Sequence, residues 1–187
     1  MPEFYDGNCL YQPKAQPYLG AIARGVRDKA ASRAFLLKGT DHAEAYAGAE
    51  LLWREQWDKR RSMKCPFWSN YWYEPCQSCD CRIVDSVSME IDAMFFLRNA
   101  EGTTLAMHIE MKRDGESLST GQAEAYRPRA ACYRDQRRAR KGVLPHHHFI
   151  TVLFCGIGTD IPLAERYFDR VILHECARNI FPEYPTE

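Results

Sequence analysis

Two stretches of alternating apolar residues, joined by a short turn, most constrain what this chain can fold into. Every second residue is apolar across 89–97, and the same is true across 105–111. Alternation with period two is typical of β-strands. The turn at 99–102 ends in glycine, at the position where a three-residue hairpin loop requires a positive φ. The sequence therefore predicts a β-hairpin in which Asn99 faces Thr103.

The same register gathers polar residues on the opposite face of the hairpin. Counting outward from the turn pairs Asp92 with Glu110, Glu90 with Lys112 and Met94 with His108. Carboxylates directly across a ladder repel each other, whereas a divalent cation between them would be coordinated by hard oxygen ligands. Lys112 would then stabilise charge that develops on an attacked phosphate. The alternative is a solvent-facing strand, with Glu90 and Lys112 as an ion pair and His108 in a packing role.

The rest of the chain predicts a single mixed α/β domain of 187 residues. Helices are expected at 19–37, 41–61 (with Asp41 and Glu44 as a capping box), 119–140 and 162–180, and a buried central strand at 149–155. A kink is expected at Pro128, and a short strand is an option at 171–173. Two segments are predicted to be irregular: an N-terminal arm at 1–18 and a cysteine- and aromatic-rich insertion at 65–81.

Charge and hydropathy limit the class of protein. The 25 basic and 25 acidic side chains argue against a protein that coats nucleic acid through bulk charge, but not against a local basic patch. The longest apolar run, at 149–157, is far shorter than the roughly 20 residues of a membrane-spanning helix. The start of the chain has no signal-peptide pattern, so a cytoplasmic location and no membrane partner are expected.

The acidic residues of the hairpin carry a family resemblance. Asp92 on one strand and Glu110-Met111-Lys112 on the next resemble the PD-(D/E)XK nuclease superfamily, which has the restriction-endonuclease-like fold. The resemblance implies an α-β-β-β-α-β core with its first strand at 83–87. It also implies that Asp92 and Glu110 bind Mg²⁺ or Mn²⁺, that the Met111 carbonyl completes the site, and that Lys112 positions or activates the attacking water.

Two further features are similar to the RecB-type and lambda-exonuclease-type branches of that superfamily. Gln122 and Tyr126 have the i, i+4 spacing of the Gln and Tyr that those branches place on the following helix. Those branches also carry an acidic residue on the helix before the sheet. Glu50 is the preferred candidate for it, as a further metal ligand, and Glu55 is the alternative. The chain departs from the family pattern at Ile91, where many members have proline.

A basic segment predicts contact with nucleic acid. Residues 127–141 contain seven basic side chains against one acid: Arg127, Arg129, Arg134, Arg137, Arg138, Arg140 and Lys141. Such a stripe is a plausible phosphate track, with affinity that falls steeply with salt. The alternative is a solvated helix face whose cations pair with acids elsewhere in the chain.

Four closely spaced cysteines predict a second metal site. Cys65, Cys76, Cys79 and Cys81 could bind one structural zinc ion; an iron–sulfur cluster and ordinary free thiols are the alternatives. The neighbouring aromatics could stack on unpaired bases or simply pack beneath the loop: Trp68, Tyr71, Trp72 and Tyr73.

The function predicted from these features together is a Mg²⁺-dependent nuclease that hydrolyses the phosphodiester bonds of DNA. A catalytically inactive nucleic-acid-binding or interaction domain on the same fold is the alternative. A zinc-stabilised adaptor is a third.

Overall fold

The computed structural model describes residues 13–60, 66–73, 81, 89–118, 121–135 and 142–186. The elements follow the chain in the order α1 (Gln16–Asp28), α2 (Ala30–Leu37), β1 (Glu50–Leu51), α3 (Trp53–Arg60), β2 (Ser69–Tyr73), β3 (Met89–Arg98), β4 (Thr104–Met111), α4 (Gln122–Arg134), β5 (His148–Cys155), α5 (Ile161–Tyr167), β6 (Arg170–Leu173) and α6 (His174–Arg178).

The chain forms an α/β fold around one mixed sheet. The strand order is β1-β3-β4-β5-β6, and β2 also pairs with β3. The pairs made by β3 are antiparallel, whereas β4, β5 and β6 run parallel to one another. Because parallel neighbours end at the same edge of a sheet, the segments that follow β4 and β5 lie side by side.

The predicted hairpin and its register are confirmed for β3 and β4. The ladder runs from Arg98 opposite Thr104 to Ala93 opposite Ile109. In the turn, the Asn99 N–H donates to the Thr103 carbonyl at 3.0 Å, and Gly102 has φ 80°. The alternation of side chains along the two strands therefore follows the predicted faces.

Both faces of the hairpin are covered. One packs on α1 and α2 through residues such as Phe95 and Met107, and the other packs on α4 and the segment before β5 through Met94 and Phe96. The alternative of a solvent-facing strand is therefore wrong, because Glu110 is only 3% exposed. A buried carboxylate requires compensating partners.

Three predicted boundaries in the N-terminal third are wrong. The arm expected at 1–18 extends no further than 15, since α1 begins at Gln16. The helix expected at 19–37 is divided by Lys29, which is extended. The helix expected at 41–61 is confined to α3, because 41–48 forms turns that end at Gly48, with φ 74°, and the next residues pair with β3 as β1.

The later segments are closer to expectation. The part of the expected irregular insertion at 69–73 is a regular strand, β2, which pairs with β3. The buried strand β5 is confirmed, and so is the short strand at 171–173, as part of β6. β6 divides the C-terminal helix expected at 162–180 into α5 and α6. α4 continues through Pro128. Within the described ranges, no helix is long and apolar enough to cross a membrane.

Candidate active site

The carboxylate of Glu110 is the centre of a buried polar cluster. β4 directs this side chain toward α4, where Gln122 Nε2 donates to Glu110 Oε1 at 2.6 Å. The Tyr126 hydroxyl donates to Glu110 Oε2. Lys112 Nζ lies 2.9 Å from Oε1. The predicted i, i+4 relation places Gln122 and Tyr126 on the same side of α4, and both contact the one carboxylate.

Asp92 joins this cluster where the β3–β4 ladder ends. Its Oδ2 accepts the Met111 N–H at 2.8 Å. The backbone pairing of β3 with β4 ends at Ala93, so the Asp92 side chain continues the hydrogen bonding between the two strands beyond that point. Its other oxygen, Oδ1, accepts no hydrogen bond from the described part of the chain. Asp92 therefore brings an acceptor oxygen to the cluster.

The cluster opens into a cleft of about 480 Å³. Asp92 and residues 110–113 form one wall, and residues 13–15, just before α1, form another. Lys14 and Arg113 place two further cations around the opening, and Glu116 accepts from the Arg113 N–H at 3.0 Å.

Asp92 and Glu90 resist ionisation. Burial and then the charge of Glu110 hold the pKa of Asp92 well above its ordinary value, against the opposing Met111 N–H. Glu90 is less buried, yet burial and the Glu110 charge raise its pKa to about 7. The cluster therefore contains more negative charge than its cations offset.

The donors of the cluster are held in their protonated forms. Burial disfavours the Lys112 ammonium, but the charges of Glu110 and Asp92 outweigh burial, and the pKa of Lys112 is raised. Burial raises the pKa of Tyr126 well above its ordinary value, and the neighbouring Glu110 charge raises it further. Lys112 thus remains a cation, and Tyr126 remains a hydrogen-bond donor.

The donor set fits a hard divalent cation. Asp92 and Glu110 supply carboxylate oxygens to the same cleft, and a cation there would offset the burial and the Glu110 charge that raise the pKa of Asp92. Among the residues that the structure describes, no group of three or more His, Cys, Asp or Glu side chains is arranged to hold a metal. Asp92 and Glu110 are the two carboxylates that could hold a cation here; the family resemblance adds the Met111 carbonyl, and water or substrate would complete the shell.

The structure does not bring Glu50 to this cluster. Glu50 pairs with Arg98 in the sheet, and its Oε2 lies 3.6 Å from Arg98 Nη1. Arg98 is six residues along β3 from Asp92, which is about 20 Å at 3.3 Å per residue. The prediction of Glu50 as a metal ligand is therefore wrong. Glu55, the alternative metal ligand, also contacts Arg98, at 3.2 Å, and so does not take the place of Glu50 in the cluster.

The predicted phosphate track is interrupted. Arg129 is 3% exposed, so its prediction as a phosphate contact is wrong: it lies on the buried side of α4. Arg127 is exposed but lies 2.9 Å from Asp169, and the exposed Arg134 stacks over Phe149. The predicted Arg137 and Arg138, with Arg140 and Lys141, lie outside the described residues.

Three of the four predicted zinc ligands, Cys65, Cys76 and Cys79, lie outside the described residues, and Cys81 is buried. Of the neighbouring aromatics, Trp68 and Tyr71 are buried, whereas Trp72 is 58% exposed. Of these three side chains, that of Trp72 is therefore the one exposed enough to stack on a base.

His108, the polar residue next to Glu110 on the same strand face, is fully buried. Its ring packs edge-on against Tyr133, 5.7 Å away, and near His146, 6.3 Å away. Burial lowers its pKa well below the ordinary value. The expected packing role of His108 is confirmed.

Sequence reasoning missed His174, whose Nε2 lies 2.8 Å from the Lys112 carbonyl oxygen. No periodicity or spacing singles this histidine out, because its partner lies 62 residues earlier in the chain.

Comparisons of the chain with protein-family models, curated proteins and solved structures give no match. The functional argument therefore depends on the geometry of the cluster.

Proposed function

We propose that this chain is a metal-dependent nuclease that hydrolyses phosphodiester bonds, with DNA as its substrate. One observation carries the proposal: Lys112, Gln122 and Tyr126 all contact the carboxylate of Glu110, in a cleft that Asp92 also lines. The PD-(D/E)XK resemblance implies these same five residues. A purely structural ion pair would require none of the additional donors.

The order of elements supports the finer fold assignment that the proposal includes. α3, β2, β3, β4, α4 and β5 follow one another as the α-β-β-β-α-β core of a restriction-endonuclease-like fold does. β2 would serve as the first strand of that core, in place of the expected 83–87, which lies outside the described residues.

In the proposed reaction, the side chains around Glu110 fix its carboxylate in one orientation. Gln122 and Tyr126 donate to different oxygens, so the group cannot rotate without losing a hydrogen bond. Asp92 and Glu110 would hold Mg²⁺ or Mn²⁺, which supplies Lewis acidity and a water of lowered pKa when bound. The backbone of Met111 anchors Asp92 in turn.

Lys112 has the role that most depends on its charge. Lys112 lines the cleft beside Glu110, and its ammonium could orient an attacking water there and stabilise negative charge on the phosphate. Lys14 and Arg113 would contact the flanking phosphates as point charges. Lys112 acts in this role as a cation, because its raised pKa keeps the ammonium protonated.

Cleavage assays test the proposal directly. Supercoiled, linear duplex and single-stranded DNA, and RNA, would be incubated with the protein in Mg²⁺, Mn²⁺ or EDTA. We expect metal-dependent cleavage that Glu110→Gln and Lys112→Ala each reduce at least about 100-fold. Glu165→Gln and Lys59→Ala are the matched controls, because these charged residues are exposed on α5 and α3.

Binding assays separate the proposal from its main alternative. Isothermal titration with Mg²⁺ should show binding that Glu110→Gln weakens and Lys112→Ala preserves. Cleavage that is insensitive to both variants would refute the site. Tight DNA binding in EDTA without cleavage in any metal would instead support an inactive binding domain on the same fold.

A further inference from the structure

A buried histidine from the C-terminal part of the chain contacts the backbone of Lys112. His174, at the start of α6, is 3% exposed. Its Nε2 lies 2.8 Å from the Lys112 carbonyl oxygen, and its Nδ1 lies 2.8 Å from the Tyr184 hydroxyl. Both ring nitrogens therefore have a partner.

The chemistry of the two partners determines where the imidazole proton lies. A carbonyl oxygen can only accept a hydrogen bond, so Nε2 must carry the proton and donate it to Lys112. In the neutral ring, Nδ1 then accepts the hydrogen of the Tyr184 hydroxyl. Burial lowers the pKa of His174, which favours the neutral ring over the imidazolium.

Aromatic packing and one glycine hold the ring in place. Tyr18, from α1, lies 5.3 Å from the His174 ring and packs edge-on against Tyr184 at 5.4 Å. In addition, a Cβ on Gly156 would stand 2.7 Å from His174 Cδ2 and 1.7 Å from Asp114 Oδ1. The imidazole therefore fits only because position 156 has no side chain.

The hydrogen bond from His174 completes the fixing of the Lys112 backbone. The Lys112 N–H donates to the Phe154 carbonyl at 2.8 Å, and its carbonyl accepts from His174. With both backbone groups held just after β4 ends, the side chain leaves the backbone in one direction. That direction brings Nζ to 2.9 Å from Glu110 Oε1.

We propose that His174, supported by Tyr184, is a positioning residue that holds the Lys112 ammonium in place beside Glu110 through a hydrogen bond to the Lys112 carbonyl. The catalytic consequence depends on the proposed nuclease function, whereas the positioning itself does not. His174 does not reach the cleft, so its loss should affect the chemical step and leave substrate binding largely unchanged.

Steady-state kinetics of four variants test the catalytic consequence. His174→Ala should lower kcat about tenfold or more and change KM less than about threefold, because small displacements of a catalytic group are costly. His174→Gln should recover most of kcat, since an amide N–H can donate to the Lys112 carbonyl. Tyr184→Phe removes only the supporting hydroxyl and should lower kcat less than His174→Ala does. His146→Ala is the control, because it removes a buried imidazole that lies near Phe96 and His108 and makes no hydrogen bond to the Lys112 backbone.

Amide hydrogen exchange tests the positioning without reference to activity. The Lys112 N–H should exchange at least about tenfold faster in His174→Ala than in wild type, and His174→Gln should restore its protection. If the wild type cleaves no substrate, the nuclease proposal fails. The exchange rate of the Lys112 N–H then decides by itself whether His174 positions Lys112.

Two results would overturn the inference. One is unchanged Lys112 exchange in His174→Ala. The other is a kcat loss in His146→Ala as large as that in His174→Ala, which would show a general effect of losing a buried ring. If His174→Ala does not fold, Tyr184→Phe and His174→Gln are compared instead. Exchange of the Lys112 N–H in His174→Gln at the rate of a fully exposed amide would then overturn the inference.

Discussion

Removing the hydroxyl of Tyr126 tests whether Glu110 is the charged centre of the cluster. Tyr126→Phe deletes one donor to Glu110 Oε2 and leaves the rest of the buried ring, which packs 4.8 Å from Phe168. Hydrogen bonds to a charged partner contribute about 1.5–3 kcal/mol, compared with about 0.5–1.5 kcal/mol for neutral pairs. We therefore expect Tyr126→Phe to lower the free energy of unfolding by about 2 kcal/mol.

A second tyrosine on the same helix provides the matched control. Tyr133 is also buried, and its hydroxyl donates to a neutral acceptor, the Trp72 carbonyl, at 2.8 Å. Tyr133→Phe should therefore cost about 1 kcal/mol. For a chain of this size, these free energies correspond to decreases in Tm of about 4–8 °C for Tyr126→Phe and about 2–4 °C for Tyr133→Phe.

The assay is thermal and urea unfolding followed by circular dichroism at pH 7.5 in EDTA, with the m-value checked for constancy. A loss of stability in Tyr126→Phe that does not exceed the loss in Tyr133→Phe would refute the reasoning. It would mean that the Tyr126 hydroxyl is not bonded to a charged group.

Four further results are expected. Asp92→Asn should raise Tm in EDTA by about 2–4 °C, because it removes charge from a like-charged buried pair and keeps an acceptor for the Met111 N–H; an unchanged or lower Tm contradicts this. Since the folded pKa of Glu90 is about 7, against 4.5 ordinarily, stability in EDTA should fall as the pH rises from 4.5 through 7, and Glu90→Gln should flatten that slope in urea titrations. Trp72→Ala should weaken binding of single-stranded DNA by about 1–3 kcal/mol in fluorescence polarisation and leave duplex binding unchanged, whereas equal losses would exclude base stacking. Elemental analysis should find about one zinc per chain, lost in Cys76→Ser, and less than about 0.1 equivalent would leave the cysteines as ordinary thiols.

The sequence predicted the hairpin and its acidic cluster because both depend on short-range spacing. Period two defines the strand faces, and a glycine-terminated turn defines the register, so the neighbourhood of Asp92 and Glu110 follows by counting. Gln122 and Tyr126 lie four residues apart on the next helix, and helical periodicity alone turns both toward the same partner.

The errors concern residues whose environment is decided by distant parts of the chain. Glu50 lies in a strand because β3 pairs with it, and Arg98 then binds its carboxylate. Arg129 belongs to a basic run, yet its position on α4 buries it. Charge and local spacing do not contain that information, because burial is set by tertiary packing.

The sequence separation of the contacts in the site implies an order of folding. Glu110 lies 12 residues from Gln122 and 16 from Tyr126, and Asp92 lies 19 from Met111, whereas His174 meets Lys112 across 62. Closing short loops costs less chain entropy. We expect the acidic cluster to assemble with the hairpin and α4, and the Lys112 backbone to be fixed only when the C-terminal elements dock. A nascent chain would thus contain the carboxylate site before its lysine is in position.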